Sequence, residues 1–188
     1  MEATRILRDE HRVIERVLAS LESAAGRLNA GKPLSPGVFI MAADFIKGFA
    51  DGCHHKKEEG VLFPAMQAAG VPSEGGPISV MLAEHEQGRR LTAGMRAAAD
   101  RLASGDASAS EAVVKNALQY VALLRGHIAK EDTVLFPMAD RVIEGPARAE
   151  VSAAFDHVEH EETGEGVHER FLALAATIES EVAQEAGT

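Results

Sequence analysis

Four histidines and two glutamates recur at matched spacings in this chain. His54 and Glu58 stand four residues apart, as do His127 and Glu131. Four residues turn a helix by about 40° beyond one full turn, so each pair projects from one face and can grip one site. His11 and His85 each interrupt an otherwise apolar stripe. Left unpaired in a dry core, such groups would cost several kcal/mol in desolvation, and a cation supplies the missing partner. Imidazole nitrogen and carboxylate oxygen without thiolate suit iron, manganese or zinc. A tetrahedral site needs only four ligands, so six donors predict two ions, bridged by carboxylates from opposed helices. Two six-coordinate ions would take the four imidazoles, both bridging carboxylates and a bridging oxygen, leaving about two positions open.

The elements that must position these groups are helical and repeated. Leu7, His11, Ile14, Leu18, Leu21, Ala25 and Leu28 alternate steps of four and three along one helix face. Adding 74 to each number gives Met81, His85, Gly88, Thr92, Met95, Ala99 and Leu102. At an offset of 73, the run from His54 to Pro64 is answered by the run from His127 to Pro137. The unit is a helical hairpin of about 74 residues used twice, with the copies facing each other across a pseudo-twofold axis. Gly31, Pro33 and Pro36 separate the helices of the first hairpin, residues 70–77 separate the copies, and Ser104-Gly105-Asp106 makes the last turn, with Ser108 or Ser110 as its cap. Pro64 and Pro137 are expected to kink or end their helices. The reading is an all-α, up-and-down four-helix bundle over residues 1–144, with a helical extension over 145–188 packed on it. In the extension Val151, Phe155 and Val158 form one stripe and Val167, Phe171, Leu174 and Ile178 another, and Glu179–Thr188 is expected to fray.

Several neighbours enter at lower rank. His55 and Glu59 share the spacing of His54 and Glu58 but are turned by about 100°, so one pair is expected at the centre, and the repeat favours the first. Along the second helix Lys47 and Asp51 fall on the His54 line while Ile46, Phe49 and Cys53 drift off it, which predicts imperfect helix geometry. Asp132 is the alternative to Glu131. Tyr120, two turns before His127, is the candidate catalytic side chain, with a plain core tyrosine as the other reading. Glu10 and Glu84 are candidates to accept the second ring N–H of a neighbouring imidazole. Glu15 and Arg89 are expected to pair across the pseudo-twofold. Cys53 reads as buried filler, and His157, His160 and His168 fall outside the repeat.

Composition narrows the partners. Lys+Arg 19 against Asp+Glu 29 gives a net charge of -10, which repels phosphate backbones and anionic lipid, so neither nucleic acid nor membrane is an expected partner. A single cysteine excludes an internal disulfide. The first residues reach charge too soon for a signal sequence and no apolar run approaches a membrane span, so a cytoplasmic protein is expected.

The segments Asp9-Glu10-His11, His54-His55-Lys56-Lys57-Glu58-Glu59 with Leu62-Phe63-Pro64, Glu84-His85, and His127-Ile128-Ala129-Lys130-Glu131-Asp132 with Leu135-Phe136-Pro137 resemble the hemerythrin-like, or HHE cation-binding, family. The resemblance covers about residues 5 to 140. It implies a four-helix bundle around a non-haem di-iron centre with a bridging oxo or hydroxo group, His11, His54, His85 and His127 as ligands, and Glu58 and Glu131 as bridges. Manganese or zinc would be substitutes. Oxygen-carrying hemerythrins have a further histidine one turn after the one on the third helix, where this chain has Arg89. The resemblance therefore points away from reversible oxygen carriage and towards reaction with H2O2, O2 or NO, with catalase-like peroxide disproportionation leading and the electron donor left open. An iron- or oxygen-sensing or storage module without turnover is the alternative, and a metal-free helical interaction module is a third.

Overall fold

The first bundle helix, α1 (Glu2–Asn29), lays its apolar stripe inward and buries Leu7, His11, Ile14, Leu18, Leu21 and Ala25. The computed structural model describes residues 1–164 and 166–186. The second bundle helix, residues 37–68, begins as α2 (Gly37–Phe45), widens into π-helical turns over Ile46–His55 and Glu58–Leu62, and returns to α-form as α3 (Phe63–Ala68). The third is α4 (Pro77–Ala103), and the fourth starts as α5 (Ser110–Lys130), passes a π-turn at Glu131–Leu135 and ends as α6 (Phe136–Val142). After Gly145, α7 (Pro146–His157), a π-turn at Val158–Thr163 and α8 (Val167–Ala186) complete an all-helical chain with no strand among the described residues.

The wide turns explain the imperfect stripe of the second helix. Ile46, Phe49, Ala50 and Cys53 follow one helix face, and because each π-turn residue advances through a smaller angle than the α-helix's roughly 100°, His54 and His55 are brought round to be buried beside them. Pro64 and Pro137 neither end nor break their helices. They sit in the first turn of α3 and α6, where a missing N–H is best tolerated, at the return from wide to α-helical turns. Neither expected serine caps the fourth helix: Asp106 caps the 3-10 turn at Ala107–Ala109, accepting from the Ser108 N–H at 3.1 Å, and α5 follows with Ala109 at its N-cap.

α4 packs on α5 and α2, α1 packs on α5, and α8 lies in the groove between α1 and α2. Gly48 makes that groove close. A Cβ there would come within 1.9 Å of the Phe171 ring, so only a glycine admits α8 at this depth. The extension does not fray at Glu179. α8 runs on to Ala186 because Ile178 and Val182 are buried and Glu185 accepts from the Ser35 N–H at 3.1 Å; Gly187 and Thr188 lie outside the described residues.

The core is divided. One apolar cluster holds Ile14, Phe39, Phe49, Met95, Tyr120 and Leu124, the other Leu7, Phe63, Met81, Leu135, Phe136 and Phe155. Between them the stripes pass through His11, His54, His85 and His127, so a layer of polar groups is sandwiched between two dry ones.

Candidate metal centre

Each histidine of that layer is gripped from outside. His11 Nδ1 lies 2.8 Å from Asp132, His54 Nδ1 2.9 Å from Glu10, His85 Nδ1 2.7 Å from Glu59 and His127 Nδ1 2.9 Å from Glu84. The pattern obeys the repeat: the glutamate beside each first-helix histidine holds the histidine of the following helix, and the acid after each inner glutamate holds the first-helix histidine of the other hairpin. A proton committed to Nδ1 leaves the Nε2 lone pair facing inward. Lys57 and Lys130 in turn donate to Glu10 and Glu84.

Inside, the nitrogens form two pairs. His11 Nε2 and His54 Nε2 are 3.1 Å apart, as are His85 Nε2 and His127 Nε2. Glu131 reaches both pairs, with one oxygen 3.1 Å from His11 and the other 3.1 Å from His127. Glu58 does the same, 3.7 Å from His54 and 3.4 Å from His85. All four oxygens of Glu58 and Glu131 are buried without a hydrogen-bond partner. Lone pairs therefore face lone pairs, at about 1–3 kcal/mol for each polar atom left unsatisfied. Positive charge is what the layer lacks. Burial pushes the His11 and His85 imidazoles towards lower pKa, yet the carboxylates around them outweigh it, Asp132 and Glu131 at His11 and Glu58 and Glu59 at His85, raising both to about 9. Burial likewise opposes ionisation of Glu131, and contact with His11 and His127 overturns it, holding this carboxyl far below the usual range. A site that draws protons this strongly also fits cations, and its donor set of nitrogen and carboxylate oxygen fits iron. Phe136 stacks on His11 at 5.4 Å and Phe63 on His85 at 6.0 Å, closing the layer on the side of the second apolar cluster.

The structure thus brings His11, His54 and Glu131 into one group able to hold a cation and His85, His127 and Glu58 into another. His55 joins the second group. The expectation that it turns away fails because the layer has two foci: adjacent residues of the second helix straddle them, His54 facing one and His55 the other. Glu59 and Asp132 hold histidines from behind instead of entering the centre. Glu15 and Arg89 do not pair. Glu15 meets Arg12 on its own helix at 2.8 Å, while Arg89 is drawn to Glu59 at 2.6 Å and Asp51 at 3.6 Å. Tyr120 is buried with its hydroxyl unpartnered among the described residues, and burial, with a smaller push from Asp51, raises its pKa well above the usual phenol value. Cys53 is buried, its thiol directed at the Gly48 carbonyl and raised to about 11, chiefly by burial.

Sequence reasoning missed one connection. Lys57, fully buried, bridges Glu10 and Glu159 of the π-turn that follows α7, and His168 of α8 lies 3.2 Å from Glu159. The extension is therefore ionically linked to the carboxylate that holds His54. A lysine inside the conspicuous His-His-Lys-Lys-Glu-Glu run was the available signal. His157 and His160 are exposed.

A helical bundle closed around paired imidazoles and shared carboxylates defines a class of cation-binding proteins. Residues 2–139 match the family model described as the hemerythrin HHE cation binding domain, and the chain belongs to that family. It is similar to uncharacterized proteins of Mycobacterium bovis and Mycobacterium tuberculosis, Mb2018 and Rv1995, at 28% identity over 170 residues. The match takes in 90% of this chain and 66% of those relatives' length. No solved structure matches. No helix among the described residues is long and apolar enough to cross a membrane.

Proposed function

We propose that this protein is a non-haem di-iron protein that reacts with a small oxidant, and that its activity is catalase-like disproportionation of hydrogen peroxide in the cytoplasm. The supporting observation is that Glu58 and Glu131 each direct one oxygen to each imidazole pair, an arrangement suited to two ions side by side. His11, His54, His85 and His127 would hold the ions terminally and Glu58 and Glu131 would bridge them. Two iron ions held there would supply a two-electron couple, sufficient to reduce one peroxide to two waters and oxidise a second to O2. The chain's own residues do the rest. Asp132, Glu10, Glu59 and Glu84 fix the tautomers and keep each Nε2 aimed inward. Phe63 and Phe136 exclude water from one side. The Tyr120 hydroxyl, buried and unpartnered among the described residues, would be available to donate a hydrogen bond to a bound oxidant.

Iron-loaded protein is expected to release O2 from peroxide on an oxygen electrode faster than an equal amount of free iron, and Tyr120→Phe to slow the release without lowering iron content. O2 release no faster than that of free iron would sink the proposal. One observation favours the second reading, a metal-responsive module without turnover. The Glu159–Lys57–Glu10 link joins the extension, residues 145–188, to a histidine of the bundle, residues 1–144, so loss of metal would loosen the extension. Chelation that frees α8 in a protein without peroxide activity would select it.

A further inference from the structure

The two hairpins are not equal at the centre. In the first, Asp51 and His55 stand one turn apart; the residues 73 later are Leu124 and Ile128. His55 is buried, its Nδ1 is 2.9 Å from Asp51, and its ring stacks on His85 with centroids 3.7 Å apart and planes 19° from parallel. It offers a ligand atom within 4.8 Å of those of Glu58, His85 and His127. The Nδ1-to-carboxylate contact is the same one that aims the other four imidazoles inward, and with Nδ1 so committed, Nε2 is the nitrogen left for a cation. Arg89, in the place where a histidine one turn after His85 would stand, lies 3.6 Å from Asp51 and holds this carboxylate instead. On the other side Leu124 and Ile128 are buried in the apolar cluster, so nothing equivalent reaches the His11–His54 pair.

Resting on the two-ion reading above, we propose that His55 is a third imidazole ligand to the ion held by His85 and His127, with Asp51 as its positioning residue. The two metal positions are then unequal, three imidazoles against two. The ion between His11 and His54 would keep the more open coordination.

Chelated protein titrated with Co²⁺ tests this without turnover. Wild type is expected to bind two ions per chain in two resolved steps. His55→Phe, which keeps a stacking ring, is expected to weaken the tighter step by at least about 10–100-fold, and Asp51→Asn to weaken it less while retaining both ions. In the proton spectrum of the Co²⁺-loaded wild type, five exchangeable, paramagnetically shifted imidazole N–H signals are expected. Four such signals, or a His55→Phe variant with both steps and the visible spectrum unchanged, would reduce His55 to packing and overturn the proposal while leaving the two-ion reading intact. Wild type that takes up one Co²⁺ or none would overturn the two-ion reading itself, and the proposal with it.

Discussion

Glu131, like Glu58, reaches both halves of the centre, and more closely: its two oxygens face histidines from different hairpins at 3.1 Å each. Glu131→Gln preserves shape but replaces one acceptor oxygen with a donating amide and removes a charge. Metal analysis is expected to show a fall from about two ions per chain to about one or fewer, with the helical spectrum unchanged. Unaltered stoichiometry would show that Glu131 is no bridge. Asp132, one residue on, serves His11 from behind and also pairs with Arg12, so its amide variant is expected to weaken binding by about 10–100-fold without lowering the number of ions held.

The second helix and α8 meet closely at Gly48 and Phe171. Gly48→Ala would put a methyl into the space of the Phe171 ring, and overpacking of this kind costs about 1–3 kcal/mol. Urea unfolding is expected to show that loss, and Phe171→Ala combined with Gly48→Ala to recover part of it relative to Phe171→Ala alone. The same docking depends on pH. The contact with His168 outweighs partial burial and, helped by Lys57, lowers Glu159 from its ordinary 4.5 to about 2, so its contribution is complete above pH 4.5 and is lost as pH falls through about 2. His168 is raised above its ordinary 6.5 by Glu159, so its contribution is complete below pH 6.5 and is lost as pH rises past its folded value. Hydrogen exchange in α8 is therefore expected to be slowest, relative to α4, between about pH 4.5 and 6.5, and His168→Gln to remove the loss of protection on the alkaline side. Equal relative protection of wild-type α8 at pH 5.5 and pH 9 would contradict the link.

At the scale of the whole molecule, the polar layer separates two apolar clusters, and metal bound there is expected to join the halves more firmly. An ion that binds only the folded state at 100 times its dissociation constant adds about 2.7 kcal/mol. For a chain of this length that raises Tm by roughly 5–10 °C per ion. Calorimetry of chelated and Fe²⁺-loaded protein is expected to show a rise of this order, and an unchanged Tm would favour a metal-free helical module.

The sequence by itself determined the helical class, the doubled hairpin and the inward register of His11, His54, Glu58, His85, His127 and Glu131, because the 3.6-residue period and a repeat offset of 73 to 74 are properties of the chain alone. Glu10 and Glu84 were legible as supports for the same reason. Tertiary structure decided what depends on distances between helices. It showed that the layer has two foci wide enough for His54 and His55 to face different partners, that Arg89 turns to Asp51 and Glu59 rather than Glu15, and that Lys57 lies in the core between Glu10 and Glu159. Wide π-turns and a glycine against an aromatic ring set those distances, and neither leaves a periodic trace in the order of residues.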